Sequence, residues 1–147
     1  MMTDDSRSLA GILWSVTDLL RGDFKRSEYG KVILPFIVLR RLDWALEPTR
    51  EQVLDAISES VSDEFPSDEA LRRLSGHPFY NISQVHLHQV LTNPERAACV
   101  LHEYLHGFSA NVQSILNRFA FKETIERLDG VGLLHMVTGR FLSLDLG

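Results

Sequence analysis

Several things are scarce in this chain of 147 residues, and each scarcity removes a class of protein. A lone cysteine, Cys99, rules out an internal disulfide framework. Nothing resembling a secretory leader opens the chain: Met1-Met2-Thr3-Asp4-Asp5 is acidic where a leader is basic and then apolar, which points to a cytoplasmic protein. Long apolar runs are missing too. The longest, Val32 to Leu39, falls far short of the ~18 residues that a bilayer-spanning helix requires, so no membrane role is expected. Basic charge is in short supply, and the net charge of −5 argues against a whole-surface nucleic-acid binder. Any DNA contact must be local. No fixed-period repeat and no low-complexity segment occurs.

What is present is ordinary globular composition, 44% apolar and 24% charged, enough for one core. The apolar spacing is helical almost throughout. Leu9, Ile12, Leu13, Val16, Leu19 and Leu20 form a first helix, capped by Ser6 or Ser8 and ended at Gly22. Trp14 lies roughly 140° around from that stripe at ~100° per residue, so it serves either a second packing face or a partner.

Ser27 is placed to cap a second helix, central and largely buried near residues 28–45, with Tyr29, Val32, Ile33, Phe36 and Ile37 on one face and Leu34, Val38 and Leu39 filling the rest. Pro35 should kink it, unless the helix begins there. After a turn near Glu47-Pro48, Thr49-Arg50-Glu51-Gln52 has the form of a capping box for a third helix, whose apolar face is Val53, Leu54, Ile57 and Val61.

Pro66-Ser67 opens a short helix closed by Gly76, and residues 77–93 fit either a short helix or a strand after an aromatic loop at His77–Asn81. Asn93-Pro94 starts another helix that stops at Gly107, and Ser109 caps the next. Segments around Ile125 and Leu128, then Leu133 to Phe141, complete an all-α compact bundle of about six to eight helices, a single helical domain over residues 1–147.

The sharpest catalytic pattern is His102-Glu103-Tyr104-Leu105-His106, the spacing with which zinc hydrolases hold metal on one helix face. Gly107 ends the helix at once, only Glu123 and Glu126 offer themselves as a third ligand, and both histidines lie away from the apolar stripe, facing solvent. Chance surface histidines account for the pattern better. The lone Gly130-Val131-Gly132 follows a charged helical segment rather than a buried strand, so it does not read as a cofactor loop. His86 and His88 alternate like strand neighbours but have no third ligand nearby. No catalytic, cofactor or metal residue is therefore assigned to this chain.

Charge is unevenly distributed. Arg21, Lys25, Arg26, Lys31, Arg40 and Arg41 face only Asp23 and Glu28 within their stretch, a local basic excess suited to phosphate contact unless the charges are solvated or paired; Arg40 or Arg41 can pair with Asp43 or Glu47. Glu51, Asp55, Glu59 and Asp63 recur every four residues on the third helix, and no Lys or Arg occurs from 51 through 69. Such a surface is unfit to lie on phosphate; it is either solvated or, with Trp14, a protein contact.

Leu13-Trp14, Asp18, Leu20-Arg21-Gly22, Ser27-Glu28-Tyr29 and Leu39-Arg40-Arg41-Leu42-Asp43 resemble the start of the M subunits of type I restriction-modification systems. The likeness continues through Pro78-Phe79-Tyr80-Asn81, Tyr104-Leu105-His106-Gly107-Phe108-Ser109 with Asn111-Val112, and Leu133-Leu134 before Phe141 and Leu144-Asp145-Leu146. The resemblance implies the helical N-terminal domain of an adenine-N6 DNA methyltransferase subunit. It implies as partners double-stranded DNA, a specificity subunit, a restriction subunit and a second M subunit.

The family's catalytic domain binds S-adenosylmethionine and would follow residue 147, so the chain is expected to be an excised piece or a truncated gene product. Methyl transfer to a flipped adenine needs a glycine-rich cofactor loop and an Asn/Asp-Pro-Pro-aromatic motif. Neither occurs, since Asn93-Pro94-Glu95 lacks the second proline and the aromatic, and the chain is not expected to methylate DNA alone. The rival expectations are a protein-interaction module without DNA contact and a zinc hydrolase built on His102, Glu103 and His106.

Overall fold

The computed structural model describes residues 8–60, 64–144 and 146; the expected contributions of Ser6, Val61, Asp63 and Asp145 lie outside them. Among the described residues the elements are α1 (Leu9–Leu20), α2 (Tyr29–Leu46), α3 (Arg50–Glu59), α4 (Asp68–Ser75), the single turn α5 (Gln89–Thr92), α6 (Ala97–His106), α7 (Ala110–Arg118), α8 (Phe121–Gly130) and α9 (Leu134–Leu142). Two isolated bridges, Arg21 with Phe24 and Asn81 with Phe108, are the only β pairing there. None of these helices is long and apolar enough to cross a membrane.

Local signals start and stop several elements as expected. Ser8 Oγ accepts the Gly11 N–H at 3.1 Å and Ser67 Oγ the Ala70 N–H at 3.1 Å, each satisfying an orphan donor at a helix start. Gly22 at φ +101° and Gly76 at φ +78° supply left-handed exits from α1 and α4. Gly132, at φ +74°, closes α8: its N–H reaches Asp129 O at 3.0 Å and the Leu133 N–H reaches Leu128 O at 2.9 Å. Gly130-Val131-Gly132 is therefore a helix terminus.

Three expected caps are corrected. Ser27 lies inside a 3-10 turn, Arg26–Glu28, and it is the Glu28 carboxylate that accepts a backbone N–H, from Lys25 at 2.8 Å. Thr49 makes no capping box with Gln52, because the chain enters α3 through the 3-10 turn Glu47–Thr49 and Thr49 sits at φ −112°, ψ 5° rather than in an extended conformation. Its hydroxyl donates instead to the Ser75 carbonyl at 2.8 Å. Ser109 occupies the N-cap position of α7, but its hydroxyl accepts from the Tyr80 N–H at 3.2 Å and donates to Asn111 Oδ1 at 2.6 Å. Pro94 likewise opens a 3-10 turn, Pro94–Arg96, ahead of α6 rather than α6 itself.

The main core lies where α1, α2, α6, α8 and α9 converge. α1 contributes Ile12, Val16 and Leu20; α2 contributes Val32, Ile33, Phe36, Leu39 and Leu46 and continues unbroken through the buried Pro35. Phe36 meets the Phe121 ring edge-on at 5.0 Å and stacks on Phe141 at 5.3 Å, arrangements favoured by ring quadrupoles. α2 is central as expected, but not buried all round: Leu34 is 52% and Trp44 47% exposed.

A second, smaller cluster of Val53, Leu71 and Tyr80 joins α3 to α4, with Ile57, Leu74 and Ile82 around it. The stretch that sequence left open contains no strand. Residues 80–83 lie against 107–109, through Ser109 N–H to Tyr80 O at 2.9 Å and Ile82 N–H to Gly107 O at 2.8 Å, and the chain then turns into α5. The approach is so close that a Cβ on Gly107 would sit 2.3 Å from Asn81 Oδ1.

Candidate nucleic-acid and subunit interface

Arg50, the first residue of α3, is buried and orders the side of the fold that carries the acidic helix. Its Nη2 donates to the carbonyls of Ser83 at 2.9 Å and Val85 at 2.7 Å, pinning the loop before α5. Near it the buried Tyr104 hydroxyl donates to Asp43 Oδ1 at 2.6 Å, and burial, followed by the Asp43 charge, pushes that phenol well above its ordinary range. Tyr80, which hydrogen-bonds Asp68, is raised to about 12, by burial first and then by that carboxylate. His86 is held below its usual value by burial, then by the charges of Arg50 and His88. Its ring is 5.5 Å from that of His88, and both belong to the turn into α5 rather than to a strand. Sequence reasoning passed over Arg50, although it was the cation opening an otherwise acidic helix.

From this scaffold Glu51, Asp55 and Glu59 point outward along α3, all exposed. Farther on, Asp68 and Glu69 are met by Arg72 at 3.7 Å and Arg73 at 3.3 Å. The acidic surface is thus concentrated on α3. Trp14 projects from α1 with 75% of its surface exposed, so among the described residues it does not form a second packing face.

The cations expected to meet phosphate divide into two groups. Arg21, Lys25, Arg26, Lys31 and Arg41 are exposed. Arg21 approaches Asp18 at 3.6 Å, but both side chains are more than 70% exposed, and such pairs hold weakly. Arg40 turns inward: Nη2 donates to Leu144 O at 3.1 Å and Nη1 lies 4.0 Å from Asp43, so it is engaged inside the fold.

Lys31 lines a groove with Ser27, Gly30 and Leu34 of the α2 end and Arg118, Phe119 and Ala120 of the α7–α8 corner. Ala120 turns that corner in the left-handed region, φ +54°. Alongside, Arg127 reaches back from α8 to Glu28 at 2.5 Å and covers the Phe24 ring at 4.1 Å. The Arg127 hydrogen bond, then the one from the Lys25 backbone, holds the Glu28 carboxyl down at about 2. Arg118 and Lys122 were not singled out from sequence; the available signal was that no Asp or Glu occurs from 104 through 122.

The zinc-hydrolase pattern resolves into two unlike histidines. His102 is half-buried and its Nε2 lies 2.6 Å from Glu126 Oε1 on α8, correcting the expectation that both rings face solvent. His106 is exposed, in a shallow cleft with Gln113 and Lys122. Among the described residues no group of three or more His, Cys, Asp or Glu is placed to hold a metal ion.

A family model described as the HsdM N-terminal domain matches residues 9–141, from the first residue of α1 into α9. No significant match is found among curated proteins or among solved structures. With nearly every helix inside the matched span, the chain belongs to the HsdM N-terminal domain family, the helical N-terminal accessory domain of the M subunit of type I restriction-modification systems.

Proposed function

We propose that the domain helps its M subunit engage double-stranded DNA and assemble with the specificity subunit, the restriction subunit and a second M subunit in the cytoplasm. The observation that carries this reading is the segregation of exposed charge. Arg21, Lys25 and Arg26 lie on the link from α1 to α2, Lys31 and Arg41 lie on α2, and Glu51, Asp55 and Glu59 lie on α3. Cations gathered on one part of an acidic protein give phosphate a local landing place, and a carboxylate-lined helix repels it. Methyl transfer belongs to the rest of the parent protein. A loop for S-adenosylmethionine would need a strand leading into its glycines, and Gly130-Val131-Gly132 instead ends α8, so no step of that reaction is assigned here.

The test is charge reversal of Arg21, Lys25 and Arg26 in the M subunit assembled with its specificity subunit. Weaker duplex binding with a shallower salt dependence is expected, and unchanged affinity and slope would remove the DNA-facing part.

A second reading, a protein-interaction module without DNA contact, is favoured by the exposure of Trp14, since aromatic side chains anchor protein interfaces. Protection of residues 51–69 from hydrogen exchange by the specificity subunit supports it; protection by DNA alone counts against it.

A further inference from the structure

We infer that the outward face of α7, flanked by Lys31 of α2 and Lys122 of α8, is a second surface for the sugar-phosphate backbone of double-stranded DNA. The inference rests on the DNA-engaging reading above and extends it from Lys31, at the end of the α1–α2 basic segment, to Arg118 and Lys122 on α7 and α8.

α7 buries Val112 and Leu116, and this fixes what it turns outward. Ala110, Gln113, Ser114, Asn117 and Arg118 follow the i, i+3, i+4, i+7, i+8 spacing of one helix face and together line a shallow depression. Gln113 is oriented by donating to the carbonyls of His106 at 3.1 Å and Phe108 at 2.8 Å. Arg118 also lines the groove that holds Lys31, and Asn117 and Gln113 also line the cleft that holds Lys122. Three helices therefore bring three cations around one polar stripe.

Two features select phosphate as the partner. The first is the charge balance: no carboxylate occurs from 104 through 122, whereas the whole chain has 20 Asp and Glu against 15 Lys and Arg. Among the described residues Arg21, Arg72, Arg73 and Arg127 each have a carboxylate partner, and Lys31, Arg118 and Lys122 have none within ion-pair distance. The adjoining groove that Lys31 also lines holds two carboxylates, Glu28, already held by Arg127, and Glu123.

The second is side-chain type. Ser114 and Asn117 beside Arg118 and Lys122 are side chains of the kind that hold DNA phosphates in register, while Gln113, its amide N–H groups already used on the His106 and Phe108 carbonyls, ties the stripe to the fold. Protein interfaces center on aromatic anchors, and the α7 stripe itself contains none; Phe119 and Leu34 lie beside it, in the groove that Lys31 and Arg118 line.

The test replaces Lys31, Arg118 and Lys122 with Gln in the M subunit assembled with its specificity subunit, and follows duplex binding by fluorescence anisotropy across a salt series. With ~0.9 of slope lost per phosphate contact, log affinity against log salt should become shallower by about 2–3, to a similar degree on cognate and unrelated duplexes. These side chains are on the surface, and an unchanged thermal unfolding curve verifies that the fold is retained. If slope and affinity stay at the unsubstituted values while the Arg21, Lys25 and Arg26 variant weakens, this inference is overturned and the broader reading stands. If neither variant moves the slope, both fall. If the slope is unchanged and a subunit dissociates instead, the stripe is a protein contact and the inference is likewise overturned.

Discussion

Replacing Arg50 with methionine isolates one buried cation while keeping most of the side-chain volume. Arg50 is 6% exposed, and the substitution removes its two hydrogen bonds to Ser83 O and Val85 O, at 2.9 and 2.7 Å. Bonds from a charged donor contribute about 1.5–3 kcal/mol each, so roughly 3–6 kcal/mol is at stake. Against this, the buried Nε has no partner, and losing that orphan donor recovers about 1–3 kcal/mol. Midpoint against midpoint, the net expectation is a loss of about 2.5 kcal/mol.

For a domain of this size that corresponds to a melting-point fall on the order of 5–15 °C. Urea titration should show a lower midpoint with an unchanged m-value, because the same surface is exposed on unfolding. A second readout separates electrostatics from packing: the Arg50 charge is one of the causes holding His86 below its ordinary pKa, second to burial, so the His86 titration followed by NMR should move upward in the variant. A loss under about 1 kcal/mol together with an unmoved His86 would refute the assignment of Arg50 as the pin between α3 and the 83–85 loop.

Gly107→Ala should destabilise by about 3 kcal/mol in the same titration, through crowding rather than backbone preference. Gly107 has φ −75°, which alanine tolerates, but its Cβ would meet Asn81 Oδ1 at 2.3 Å and Ser83 N at 2.5 Å; a near-neutral result would mean that the two segments separate easily. The Glu28–Arg127 pair predicts a specific acid response. Folding lowers the Glu28 pKa from 4.5 to about 2, so its contribution is present above pH 4.5 and disappears as pH falls toward 2. The difference in melting temperature between the native chain and Arg127→Gln should shrink over that window, and a difference constant across it would contradict the pairing.

Much of the fold was legible because much of it is encoded locally. Ser8, Ser67, Gly22 and Gly76 act within one helical turn of where they stand, and the apolar spacing of α1, α8 and α9 reports on what they bury, apart from Leu9, which is 47% exposed at the start of α1. Ser27 and Pro94 were misread because short 3-10 turns precede α2 and α6, and other residues because their partners are remote. Thr49 and Ser109 look like caps, but their hydroxyls are engaged by Ser75 and Tyr80, 26 and 29 positions away. Leu34 was placed inside because α2 is apolar on all sides, and only the arrangement of its neighbours decides which sector stays uncovered.

The surfaces were legible to a similar degree. Charges could be counted, but Glu28 meets Arg127 across 99 residues, and Lys31 shares a groove with Arg118 only after α7 has docked. His102 illustrates the same limit: its spacing to His106 suggested metal, whereas the partner that matters is Glu126, 24 residues on.

The packing of α1 and α2 against α9 also bears on how the chain is made. Arg140 Nε donates to Ser15 Oγ across 125 residues, and Arg40 reaches Leu144 O across 104. Synthesis proceeds from the N-terminus, so Ile12, Val16, Phe36 and Leu39 emerge from the ribosome well before Val137 and Phe141 exist to cover them. At ~5–20 residues per second, these first helices remain without their native cover for several seconds or more. During that interval the apolar faces of α1 and α2 are the surfaces most open to association with other chains.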